Sequence, residues 1–227
     1  MSSLPRKMKA AVVREFKNPP RIEEVAVPEV RWCGDWEGLW LLVTAPMPAN
    51  ARRLRASELP PVAPLRDVVA LDGPPVRRRV LDAPYWDAAV ATARIGSDAG
   101  RPELAAELDR VAGEHGDAET TFGRWHGDWV EWNLARAGDR LYAWDWAYSE
   151  PDVPFGFDLL QFFHLRHRVL REEAPDVALA HAAADARPGL RELGIPDDEV
   201  DAVVALHRIE VLLREERARQ ARTGVRA

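Results

Sequence analysis

At 227 residues the chain is long enough to bury a sizeable core, and its net charge of -6 offers no basic stripe for nucleic acid. Cys33 is the single cysteine, which excludes an intrachain disulfide and a thiolate metal cluster. The longest strongly apolar run, residues 39–43, is far short of a bilayer span and no secretory leader pattern precedes it, so a cytoplasmic protein without nucleic-acid or membrane partners is expected.

In chain order, residues 8–15 and 21–27 are β-branched stretches separated by Asn18-Pro19-Pro20, which predicts two strands about a turn. Lys7, Lys9 and Lys17 fall within this opening, and from Asn18 onward positive charge is carried by arginine alone. Residues 36–43 read as a buried strand that ends at Pro46 and Pro48. Residues 49–81, rich in proline and arginine, are expected to be irregular apart from a short helix near 65–71. Apolar residues at helical spacing predict helices over 85–93 and 102–113, the second with Leu104, Ala105, Leu108 and Val111 on one face and its end at Gly116. Residues 133–146 predict a small hairpin turning at 137–139, with Asn133 entering one strand and Asp145 leaving the other. Helices follow over 157–173, 176–192 and 197–222; the last starts at Pro196-Asp197 and is expected to turn polar near Arg214.

Chemistry concentrates in Trp125-His126-Gly127-Asp128, Asn133 and Trp144-Asp145-Trp146. Phosphoryl transfer needs a hydroxyl aimed in line and a divalent cation on the phosphate oxygens, with little covalent help from protein. Asp128 suits the proton of the hydroxyl; Asn133 and Asp145 supply one neutral and one charged oxygen, hard donors that magnesium prefers. Two carboxylates about 5 Å apart at an effective dielectric near 20 repel by roughly 3 kcal/mol, so a pocket holding Asp128 and Asp145 calls for a cation.

The ordered blocks His126-Gly127-Asp128 with Asn133, Trp144-Asp145-Trp146 and Phe157-Asp158-Leu159 resemble the C-terminal lobe of the aminoglycoside phosphotransferase and choline kinase family, over residues 36–222. The resemblance implies an α+β, protein-kinase-like fold with a mainly helical C-lobe and a truncated or replaced N-lobe. It implies Asp128 as catalytic base, Asn133 and Asp145 as Mg2+ ligands, and His126 and Asp158 as braces of the loop. ATP would be the cofactor, its adenine met by the backbone of a hinge at Val43, Thr44 and Ala45, and the acceptor a hydroxyl of a small molecule. The corresponding division is an atypical β-segment over 1–35, a last N-lobe strand and hinge over 36–48, and a phosphotransferase lobe over 49–227. Residues 8–30 are instead similar to the opening hairpin of zinc-dependent alcohol dehydrogenases. Cys33-Gly34 lacks the downstream zinc ligands of that family and no Gly-x-Gly-x-x-Gly follows, so hydride transfer is not expected.

The shortage of N-lobe sequence keeps other readings open: a kinase-like lobe that binds without catalysis, or a fusion or truncated gene product. An incomplete lobe also exposes apolar surface that favours homo-oligomers. Most of the tryptophans are expected to pack the loop against the lobe and not to form an open platform, with Trp129 or Trp146 the most exposed; Glu131 is expected to be an ordinary solvated carboxylate and Cys33 to be inert. His164 and His167 share a helix face but, with no third ligand evident nearby, read as surface or core residues.

Overall fold

The computed structural model describes residues 25–55 and 57–223. The described chain is α+β and mainly helical. Its strands are β1 (Val25–Ala26), β2 (Val30–Trp36), β3 (Leu39–Thr44), β4 (Arg52–Arg53), β5 (Val76–Arg79), β6 (Glu119–Gly123), β7 (Leu134–Ala137), β8 (Arg140–Ala143) and β9 (Val153–Pro154). Its α-helices are α1 (Pro64–Val69), α2 (Pro84–Asp98), α3 (Glu103–His115), α4 (Phe157–Leu165), α5 (Pro175–Glu192) and α6 (Asp197–Thr223).

Proline opens α1, α2 and α5, where its fixed φ suits the first turn and its missing N–H costs nothing. The expected stripe of α3 is buried at Leu104, Leu108 and Val111, and α6 buries Val200, Val203 and Leu206. These faces meet α4, with Phe157, Leu159, Leu160 and Phe162, in one continuous core that also takes in Trp125, Trp129 and Trp146. The helix expected over 157–173 is interrupted: α4 ends at Leu165 and a π-helical turn spans Arg166–Leu170.

Three small sheets sit beside the helices. The β7–β8 hairpin turns tightly between Ala137 and Arg140, and Gly138 takes the left-handed conformation (φ 61°) that the turn demands. β4 pairs antiparallel with β7, and β1 adds in parallel to β8, giving the order β1-β8-β7-β4. β5, β6 and β9 form a second sheet in that order, and β2 and β3 pair only with each other.

Several expectations change here. The strand expected over 8–15 lies outside the described residues, and of 21–27 only the end is described, as β1. Residues 36–43 do not form one buried strand: a turn at Glu37 and Gly38 breaks the run, and Trp36, Leu39, Leu42 and Val43 are exposed. An unbroken apolar stretch reads as buried on both faces, but no third strand joins this hairpin among the described residues. Residues 49–81 are less irregular than expected, because β4 and β5 are drawn into sheets by partners far along the chain. No described helix is long and apolar enough to cross a membrane.

Candidate functional site

β6 delivers the chain into the loop at His126, Gly127 and Asp128. Gly127 has φ 83°, and a Cβ there would lie 2.2 Å from the carbonyl oxygen of Tyr148, so the loop's path requires glycine on both counts. Asp158, in the first turn of α4, holds the loop from beneath. Its two carboxylate oxygens accept the backbone N–H of His126 at 2.8 Å and of Gly127 at 2.9 Å. Burial pushes the Asp158 carboxyl up to about 6, against the pull of those two N–H groups.

His126 is fully buried, its ring between Trp146 at 4.3 Å and Trp129 at 5.6 Å. Its Nδ1 accepts the N–H of Asp128 at 3.2 Å, which assigns the proton to Nε2. Nε2 faces the Trp144 backbone without a well-formed hydrogen bond. Desolvation depresses this imidazole to about 3, so it is neutral and acts on Asp128 through the backbone.

Asp128 is half-buried, and Asn133 Nδ2 donates to its Oδ2 at 2.7 Å and to its carbonyl oxygen at 3.1 Å. Spending Nδ2 in this way leaves Asn133 Oδ1 as the atom able to ligate a cation. The Trp144 N–H donates to the Asn133 carbonyl at 3.2 Å, closing the open end of the hairpin and bringing Asp145 beside Asn133. Asp145 is exposed and left-handed (φ 65°, ψ 59°), a conformation that aspartate tolerates better than most residues. The Asp128 carboxyl is raised, first by burial and further by the Asp145 charge, while the Asn133 hydrogen bond and Arg214 lower it. Carboxylate, amide oxygen and left-handed carboxylate thus share one patch, and their hard oxygens fit a magnesium-like ion.

The residues expected to form a hinge are engaged within the β2–β3 hairpin. Val43 and Thr44 pair with β2, and Ala45 donates its N–H to the Glu29 carbonyl at 2.7 Å. That N–H is therefore committed within the hairpin. Lys7, Lys9 and Lys17 lie outside the described residues.

Three expectations need correction or extension. Trp129 and Trp146 are 0% and 6% exposed; they enclose the His126 ring and do not form an open platform. Glu131 is buried and accepts from Arg166 Nε at 2.5 Å, so it is paired and not solvated. Arg166 also donates to the Glu58 carbonyl at 2.6 Å and lies 4.6 Å from the Phe162 ring centroid. Near Arg214, α6 does not become a plain polar helix: Nη2 of this arginine donates to the Gly127 carbonyl at 2.7 Å, its Nε to Glu210 at 2.8 Å, and its guanidinium stacks 4.5 Å from Trp125. Buried Glu210 also accepts from the Tyr85 hydroxyl at 3.2 Å, which ties α2, α6 and the loop together. A signal for this was present: Val203, Leu206, Glu210, Leu213, Glu216 and Gln220 continue one helical stripe, so the polar members sit on the buried face.

Asp158 gives a test of the brace by pH. Its acid is raised from 3.8 to about 6, so the folded state keeps this proton where the unfolded chain has lost it. The stabilising contribution of the neutral acid is complete below about pH 4 and is lost as pH rises through about 6, up to about 3 kcal/mol in all. The difference in unfolding free energy between wild type and Asp158→Asn, from urea titrations between pH 4 and 7, is expected to shrink with rising pH. A difference that grows with pH would reject this account of the carboxyl.

Comparison with protein-family models and with curated proteins finds no match to this chain.

Proposed function

We propose that the chain is an ATP- and Mg2+-dependent phosphotransferase acting on a hydroxyl of a small molecule, built on a protein-kinase-like helical lobe of the aminoglycoside phosphotransferase and choline kinase type. Residues 49–227 make up that lobe in this reading, with 36–48 as the last N-lobe strand and hinge. The observation that carries it is the Asn133–Asp128 hydrogen bond at the open end of the hairpin, beside an exposed left-handed Asp145 whose charge bears on Asp128. A structural turn gains nothing from two mutually repelling carboxylates and an unfavourable backbone conformation, whereas phosphoryl transfer uses both.

Asp128, half-exposed with its Oδ2 fixed by Asn133, takes the proton of the acceptor hydroxyl as that oxygen forms its bond to the γ-phosphorus and ADP departs. Asn133 Oδ1 and the Asp145 carboxylate would hold magnesium, which when bound would offset charge on the phosphate oxygens. His126 is a positioning residue, since it is buried and touches Asp128 only through the main chain.

Calorimetry with ATP tests the reading. Binding is expected in the presence of Mg2+, to weaken at least tenfold without it, and to lose its Mg2+ dependence in Asp145→Asn; Mg2+-independent binding, or none, rejects it. A second reading, a kinase-like lobe that binds a small molecule or a partner without catalysis, is favoured by the commitment of the Ala45 N–H to Glu29, which removes a donor that adenine would use. Absence of ATP binding, or Mg2+-dependent ATP binding with no ADP release across a panel of amino alcohols and aminoglycosides, would select this second reading.

A further inference from the structure

The π-helical turn after α4 carries His167 against two residues of α5, His181 and Asp185. We propose that His167, Glu173 and His181 form a binding site for one divalent transition ion of the zinc class, with Asp185 orienting His167. The inference does not depend on the phosphotransfer reading.

Their ligand atoms all lie within 4.8 Å of one another. Glu173 sits between the imidazoles, Oε1 at 3.0 Å from His167 Nδ1 and Oε2 at 2.8 Å from His181 Nδ1. Ligand atoms around tetrahedral zinc are separated by about 3.3 Å, so closure asks for a modest turn of the Glu173 carboxylate and of His181, which is half-exposed and free to adjust. His167 is 2% exposed, and its other nitrogen, Nε2, lies 2.9 Å from Asp185 Oδ2. A carboxylate behind the ligating imidazole is the arrangement that fixes the tautomer and raises ligand basicity in metal sites.

The hydrogen-bonding geometry points the same way. His167 Nε2 faces Asp185 while its Nδ1 faces Glu173, with Arg171 Nη1 also at 3.3 Å, so an ion at Nδ1 meets a carboxylate that His181 Nδ1 faces from the other side. The local backbone is shaped around this contact: Glu172 is left-handed (φ 56°), and the Glu173 N–H donates to the His167 carbonyl at 3.1 Å. π-helical turns recur at functional sites.

Arg171 opposes binding, with Nη1 3.3 Å from His167 Nδ1, but its side chain is exposed and can swing away. Two imidazoles and one carboxylate select zinc, cobalt or nickel over magnesium. Three protein ligands leave the fourth position to water. The ion would clip the π-helical turn to α5.

Chelator-treated full-length protein is titrated with Zn2+ by calorimetry and with Co2+ by visible absorption. The expected result is one ion per chain, a tetrahedral Co2+ spectrum, a raised thermal midpoint, and no competition from millimolar Mg2+. His181→Ala, at a half-exposed position that leaves the core intact, is expected to weaken Zn2+ binding by on the order of 100-fold, and Asp185→Asn by about 10-fold. Absence of saturable Zn2+ binding, or wild-type affinity in both His181→Ala and Glu173→Gln, overturns the proposal.

Discussion

Asp128→Asn is expected to lower kcat for phosphoryl transfer by about 10²–10⁴-fold, the usual contribution of a positioned general base, with the thermal midpoint nearly unchanged. The asparagine can present its Oδ1 to Asn133 Nδ2 and so keep the 2.7 Å contact, while the proton acceptor is gone. The pH profile supplies a second readout. Asp128 works only when ionised, and burial together with Asp145 raises its carboxyl, so activity is expected to fall with decreasing pH at values above the ordinary aspartate range. Arg214 pulls the same carboxyl down, so Arg214→Gln should move the acid limb to higher pH. Retention of activity within tenfold in Asp128→Asn, measured by ADP release, would remove Asp128 from the mechanism.

Part of this arrangement is legible in the sequence because it is local. The β7–β8 hairpin shows itself through alternation and a glycine at the turn, and its register puts Asn133 and Asp145 at one end before any side chain is placed. Asp158 announces itself at the start of a strongly periodic helix. The helices α3 and α6 follow from apolar spacing alone, since local propensity and tertiary packing agree there. What the sequence hides is set by partners distant along the chain. β4 and β5 consist mostly of arginines, poor predictors of strand, and are strands because β7 and β6 offer them hydrogen bonds. Arg214 and Glu210 resemble an ordinary surface i,i+4 pair; only the packing of α6 against the loop turns them inward. The tryptophans were legible as a cluster but not in their orientation, because enclosing a histidine ring and stacking a ligand call for the same residues. The His167 group escaped because its further members lie beyond the π-helical turn and on the next helix, where helical spacing from His164 gives no guidance.

The ion pair between Arg166 and Glu131 carries the second large effect. Arg166→Ala is expected to destabilise the fold by about 3–5 kcal/mol, because it strands a carboxylate that is 4% exposed. The cost belongs to the uncompensated charge and not to a strong intrinsic bond, so Glu131→Leu combined with Arg166→Met should recover most of the loss. The Glu58 carbonyl freed by both variants lies in a partly exposed residue and can turn to water. The pair also bears on the site. Glu131 begins the 3-10 turn Glu131–Asn133, so its anchor on the π-helical turn helps hold Asn133 in place for Asp128. The single variant is therefore expected to lose Mg2+-dependent ATP binding more steeply than stability alone explains, and the double variant to regain stability with only partial return of binding. Urea unfolding and calorimetry on the same preparations separate the two effects; a loss under about 1 kcal/mol in Arg166→Ala would show that Glu131 reaches water or another donor once its partner is removed.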